Sequence, residues 1–224
     1  MMIIPIIAVI AIIGYLLGSI NTSIIISRFR GTDIRQHGSG NAGLTNTLRT
    51  FGAQAAVLTL LGDILKGVVA VWLVKYVSIM LCLILEVEVA FGTSFLVMLE
   101  CVAGLACVLG HNFPIYFKFK GGKGVLTGAV VTGMIDWRLM VAALVVFIIV
   151  CSITRYVSLS SICGSLVIIV LSVILYFNQI TTLSGISVIL FSCIVGGMTI
   201  IRHHGNIKRL ITGTERKLGE KRKA

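Results

Sequence analysis

The stretch LSSICGSLVIIVLSVILYF, residues 159–177, runs for 19 residues without a charged side chain. A backbone surrounded by lipid satisfies its own hydrogen bonds only by coiling into a helix or closing into a barrel. About 20 apolar residues, rising about 1.5 Å each, cross a hydrocarbon core about 30 Å thick. A barrel strand would alternate apolar and polar residues over about ten positions, whereas this stretch is apolar throughout. It reads as a membrane-spanning helix.

Working outward, runs of the same kind lie near residues 3–27, 53–74, 77–110, 125–135, 139–154 and 185–201. Within the long run at 77–110, Glu86, Glu88 and Gly92 divide one helix, ending near 84, from the next, starting near 92. The 125–135 run is too short for a full crossing, so the count lies between five and seven, with seven candidates. The fold class is therefore an all-α integral membrane protein. It is a polytopic bundle of about seven transmembrane helices, forming one membrane domain over residues 1–224, with a short basic tail at 202–224.

Composition agrees. The chain is 57% hydrophobic and 12% charged, with a mean hydropathy of +1.06, far from the balance of a soluble domain. Residues 1–27 lack the basic start and small-residue cleavage pattern of a secretory signal, so they form a retained helix. The six cysteines, Cys82, Cys101, Cys107, Cys151, Cys163 and Cys193, lie in apolar runs with no CxxC pair. They read as small buried hydrophobes, and neither a disulfide framework nor zinc is indicated. The four histidines show no metal-ligand spacing with carboxylates, so no metal and no cofactor is expected. A net charge of +11 without aromatic stacking platforms points away from nucleic acid and toward anionic lipid and phosphorylated substrates.

Retention of Lys and Arg in the cytoplasm orients such a bundle. With the N-terminus outside and the C-terminus cytoplasmic, a seven-span arrangement places 16 of the 19 basic residues inside. Lys75 and Arg138 fall outside, and Lys66 lies within a span.

That topology brings every polar cluster to one side. The first is Gly38-Ser39-Gly40-Asn41-Ala42-Gly43-Leu44-Thr45-Asn46-Thr47-Leu48-Arg49, where glycines let successive N–H groups converge on an anion and side-chain donors surround it. A plain turn would also carry glycines, but not this density of donors. The second runs from His111-Asn112-Phe113-Pro114 to Phe119-Lys120-Gly121-Gly122-Lys123-Gly124-Val125 and opens into a helix, whose N-terminus favours anions. Its spacing is not that of a P-loop, since Phe117 and Gly124 stand where that loop needs glycine and Ser or Thr. The third, Arg155-Tyr156-Val157-Ser158, reads as helix capping. The fourth is Arg202-His203-His204-Gly205-Asn206, continuing through Lys208 and Arg209 to Gly213-Thr214-Glu215. Within a span, Asp63 and Lys66 share a helical face. They either neutralise one another or orient the site.

Taken together, the four clusters resemble the bacterial acyl-phosphate:glycerol-3-phosphate acyltransferases over nearly the whole chain. The matching strings are Ser39-Gly40-Asn41 with Gly43, Thr45, Asn46 and Arg49; Asp63 with Lys66-Gly67; Gly110-His111 with Pro114 and Phe119 to Val125; Arg155 with Ser158-Leu159; and Arg202-His203 with Asn206-Ile207, Arg209-Leu210, Gly213 and Glu215. Asn21 stands where the family carries proline. The resemblance implies transfer of a fatty acyl group from acyl phosphate to the sn-1 hydroxyl of glycerol 3-phosphate, in the bacterial inner membrane, with the site at the cytoplasmic face and no obligate protein partner.

It further implies catalytic roles for Ser39, Arg49, Lys123, His203 and Asn206. Gly40, Asn41, Gly43, Thr45, Asn46, Gly121, Gly122, Gly124, Ser158 and Glu215 would bind substrate. Either His203 or a substrate phosphate would take the proton, and Ser39 could be a nucleophile only beside a base. Acyltransferases that use a thioester donor carry Asp five residues after His; here Ala42, Tyr116, Lys208 and Arg209 occupy those places. An anion transporter would need charges aligned through several spans, and only Asp63, Lys66 and Glu100 are candidates.

Overall fold

The computed structural model describes residues 3–84 and 92–220. Ten α-helices follow one another among them: α1 (Ile3–Gly18), α2 (Thr22–Phe29), α3 (Leu44–Phe51), α4 (Ala53–Ile84), α5 (Gly92–Asn112), α6 (Val125–Ile135), α7 (Trp137–Thr154), α8 (Val157–Tyr176), α9 (Leu183–Arg202) and α10 (His204–Ile211). Among the described residues six segments are long and apolar enough to cross a membrane: Ile4–Phe29, Ala53–Val77, Thr93–Phe117, Trp137–Thr154, Val157–Gln179 and Leu183–Arg202. The expected division at Glu86 and Glu88 lies outside the described residues, between α4 and α5. At 11 residues, α6 extends only about 16 Å.

The first span departs from one continuous helix. It breaks at 19–21, where the Asn21 side chain accepts from Ile24 N at 3.1 Å and so caps α2. The residue that departs from the family pattern thus starts a helix of its own. Helix α1 packs chiefly on α5, α7 on α8, and α9 on both α5 and α8. The α1–α5 contact is backbone against backbone: a Cβ on Gly18 would overlap the carbonyl of Cys107.

The core lies between α4, α5, α6 and α9, with Val71, Cys107, Val108, Val131, Val188, Phe191 and Val195 at its centre. Burial of the cysteines holds for Cys101 and Cys107, but Cys193 is exposed and Cys151 and Cys163 are partly so, while the Cys82 side chain lies outside the described residues. Two short helices, α3 and α10, replace what reads in sequence as polar loop and tail. Each has eight residues and is polar on average, so no apolar run marks it in the sequence.

Candidate functional site

The polar clusters meet at one end of the bundle. Lys123, just before α6, donates to the Asn206 side-chain oxygen on α10. Asn206 Nδ2 donates to Glu215 Oε1 at 2.6 Å, and Ser158 Oγ donates to the same oxygen at 2.7 Å. Arg209 Nε donates to the other carboxylate oxygen at 2.7 Å. One carboxylate thus joins the second, third and fourth clusters. The expected capping role of Ser158 is replaced by this bond, since no side chain caps α8.

The first cluster hangs beside this network. Asn46 is buried and organises the glycine-rich loop from inside: Nδ2 donates to His37 O (2.9 Å), Asn41 O (3.0 Å) and Ile34 O (3.3 Å), while Oδ1 accepts from Ser39 N at 2.9 Å. Its amide is filled by the loop backbone. Ser39 and Gly40 are exposed, Asn41 and Thr45 partly so, and Gly43 is buried. Arg49 crosses to the tail, donating to Arg216 O at 3.4 Å. No base lies hydrogen-bonded to the Ser39 hydroxyl among the described residues.

In the second cluster, Gly121 N and Gly122 N donate back to Asn112 O (3.2 Å) and His111 O (3.1 Å). These two N–H groups therefore hold the loop against α5 rather than facing a ligand. The open donors are those of the first turn of α6, which no side chain caps and whose first helical bond is Gly128 N to Gly124 O. The loop's glycines are fixed by space. A Cβ on Gly122 would strike the His111 ring and sit 2.6 Å from Ala42 O, and Gly124 has φ +77°.

Electrostatics single out two groups. Burial, reinforced by Arg209, Arg202 and Arg49, pushes Lys123 down to about 8, with Glu215 pulling the other way. His203 is 3% exposed, and burial followed by the Lys123 charge pushes it down to about 4. His203 Nδ1 lies 2.7 Å from Thr199 O; a carbonyl only accepts, so Nδ1 carries the hydrogen and Nε2 is left with its lone pair. Burial alone would raise Glu215, but the hydrogen bonds from Asn206, Ser158 and Arg209 outweigh it and hold the carboxyl below its ordinary value.

Three arginines without an assigned role in the sequence reading also build the site. Arg209 completes the Glu215 network. Arg202 donates to Gly122 O at 2.8 Å and stacks over Phe113. Arg35, paired with Asp33, donates to Phe117 O (2.8 Å) and Lys120 O (3.0 Å), tying the first cluster to the second. No spacing in the sequence marks Arg35, whose acceptors lie over 80 residues away. A cavity of about 580 Å³ between Arg35, Gly40, Lys118, Lys120, Gly121 and Arg202 opens beside these bonds. Among the described residues no three His, Cys, Asp or Glu side chains cluster as metal ligands would.

The glycerol-3-phosphate acyltransferase family model matches residues 8–213. The chain is 40% identical over 212 residues to the glycerol-3-phosphate acyltransferase of Thermoanaerobacter sp. (strain X514), covering 94% of this chain and 95% of that one. It is 40% identical over 215 residues to that of Clostridioides difficile (strain 630), covering 96% of each. The crystal structure of PlsY (YgiH), an integral membrane glycerol 3-phosphate acyltransferase in its glycerol 3-phosphate form, superposes with a TM-score of 0.78 at 32% identity, covering 95% of this chain and 96% of that one. Its lysophosphatidic acid form gives 0.75 at the same identity, with 95% of each covered. The polar network at the bundle's end and the match along nearly its whole length agree: the chain belongs to the glycerol-3-phosphate acyltransferase family.

Proposed function

We propose that this membrane enzyme transfers a fatty acyl group from acyl phosphate to the sn-1 hydroxyl of glycerol 3-phosphate, giving lysophosphatidate and inorganic phosphate. The observation that carries this reading is the bond set Lys123–Asn206–Glu215–Ser158, which gathers a cation and polar side chains from distant segments around one spot. Both proposed substrates are phosphorylated. Solved relatives in glycerol 3-phosphate and lysophosphatidic acid forms fit the acceptor and the product.

In the reaction the sn-1 oxygen attacks the acyl carbonyl, the carbon–oxygen bond to phosphate breaks, and phosphate leaves. Acyl phosphate is an activated anhydride, so no covalent acyl-enzyme is needed. Lys123, Arg49 and the first turn of α6 hold phosphate and the developing oxyanion. Ser39, Gly40, Asn41, Gly43 and Thr45 face the acyl-phosphate head, on a loop that Asn46 shapes. Gly121, Gly122 and Gly124 allow the close approach of the second loop. Glu215 and Ser158 act through Asn206 and Arg209, since their polar atoms are already partnered.

His203, neutral at physiological pH, offers Nε2 as a hydrogen-bond acceptor that orients the glycerol hydroxyls. A phosphate monoester with its second pKa near about 6 is a stronger base than His203 at about 4, so the hydroxyl proton passes to a phosphate oxygen.

The chain lies in a bacterial inner membrane with its N-terminus outside, seven spans counting the short α6, and the site and basic tail in the cytoplasm. The 16 basic residues on that side support this orientation. The test is lysophosphatidate and phosphate formation by purified protein in lipid, given palmitoyl phosphate and glycerol 3-phosphate, beside palmitoyl-CoA as donor. Product from acyl phosphate alone is expected; product from the thioester alone would overturn the donor assignment.

A further inference from the structure

Beneath both anion loops lies a polar group embedded in the spans. Asp63 and Lys66 of α4 are 2% and 5% exposed, and His111 at the end of α5 is 4% exposed. Lys66 Nζ has three acceptors around it: Asp63 Oδ1 at 2.8 Å, His111 Nδ1 at 2.8 Å and the backbone carbonyl of Ile20 at 3.1 Å. An ammonium has three hydrogens and no lone pair. Two of its hydrogens are donated, to α5 and to the break between α1 and α2, and the Asp63 carboxylate lies beside the charge as an ion pair.

Two of these partners, Ile20 and His111, lead to a loop. Ile20 sits in the break between α1 and α2; the next residue, Asn21, donates through Nδ2 to Ala42 O at 3.3 Å, inside the first glycine-rich loop. His111 leads to the second: its carbonyl accepts from Gly122 N. Because Lys66 can only donate, His111 Nδ1 is the accepting nitrogen and Nε2 carries the hydrogen. The ring then fills the space under Gly122, where an added Cβ would meet both His111 Nε2 and Ala42 O. The two loops close over one glycine, and the ring beneath it is fixed from below by Lys66.

We infer that Lys66 is a positioning residue for the acyl-transfer site, holding the Gly38–Arg49 loop and the Phe119–Val125 loop in register through Ile20 and His111, with Asp63 fixing its charge and direction. This rests on the function proposed above. It goes beyond mutual neutralisation of a buried pair, because neutralisation alone would need only the Asp63 contact. Lys66 touches no substrate.

The two roles separate in a double variant. Lys66→Met alone leaves Asp63 as an uncompensated buried charge and is expected to fold poorly. Asp63→Asn with Lys66→Met removes both charges and restores the thermal midpoint. If Lys66 positions the loops, the double variant still loses about 100-fold in kcat/KM, the scale of an ångström-sized misplacement. Amide hydrogen exchange of residues 38–49 and 119–125 then quickens while α7 and α8 exchange as before. Lys66→Arg, which keeps a directed cation, recovers part of the activity. A double variant with wild-type activity and unchanged exchange in both loops would overturn the inference. Hydrogen exchange is measured without turnover, so a failure of the acyl-transfer reading leaves this outcome readable.

Discussion

At the residue scale the decisive group is Lys123. Its ammonium titrates at about 8 because burial and three arginines disfavour its charge, while Glu215 favours it. A cation that holds phosphate is lost as pH rises through that value, so kcat/KM should fall between pH 7 and 9. In Lys123→Arg, where the cation cannot titrate, this limb should disappear. Glu215→Gln removes the group that raises the Lys123 value, so the limb should shift below 8. It should also raise the KM for glycerol 3-phosphate about tenfold, since a charge-assisted bond is lost. A pH profile of the three proteins over this range checks all of this.

The identities of Lys123, His203 and Asn206 were legible, because cation, imidazole and amide side chains in glycine-rich or terminal segments stand out against an apolar chain. What Asn46 and Glu215 do was not. Asn46 turns its amide inward on its own loop, and Glu215 gathers donors from Ser158, 57 residues away, and from Asn206 and Arg209 nearby. Only folding reveals which polar atoms are already occupied.

At the scale of the element, the long apolar helices could be read directly, including the shortness of α6. The break in the first span could not be told from a helix end: Ser19, Asn21, Thr22 and Ser23 are polar, but that Asn21 starts a second helix shows only in its bond from Ile24 N. Nor could the close α1–α5 approach be read, which depends on a missing side chain. Gly18→Leu should force these helices apart and lower the thermal midpoint by several degrees, the overpacking cost being about 1–3 kcal/mol. Gly197→Ala, at a helical position with nothing within 4 Å of the added Cβ, should leave it unchanged or raise it slightly. Thermal unfolding in detergent distinguishes the two.

At the scale of the whole molecule, the four polar clusters converge because chain crossings bring every second connection to the same end. Positive charge in those connections made the convergence legible before any contact was known; the bonds between them were not. On intact cells, a membrane-impermeant maleimide should label Gln179→Cys and spare Lys217→Cys, each in a background with the native cysteines replaced. The reverse pattern would invert the assigned orientation.

The short α6 has a consequence for where the reactants meet. It turns into α7 after one residue, and α7 has 18 residues against its 11. For parallel axes, the first turn of α6 starts about 10 Å further into the bilayer than the far end of α7. In the function proposed above, the anion-holding end would then lie recessed below the level that α7 reaches. In the proposed reaction a water-soluble acceptor would reach it from the cytoplasm while an acyl donor moves sideways along the leaflet. Neither the donor's tail nor the product's has to leave the oil, and the barrier of lifting a long chain into water is absent from the reaction path.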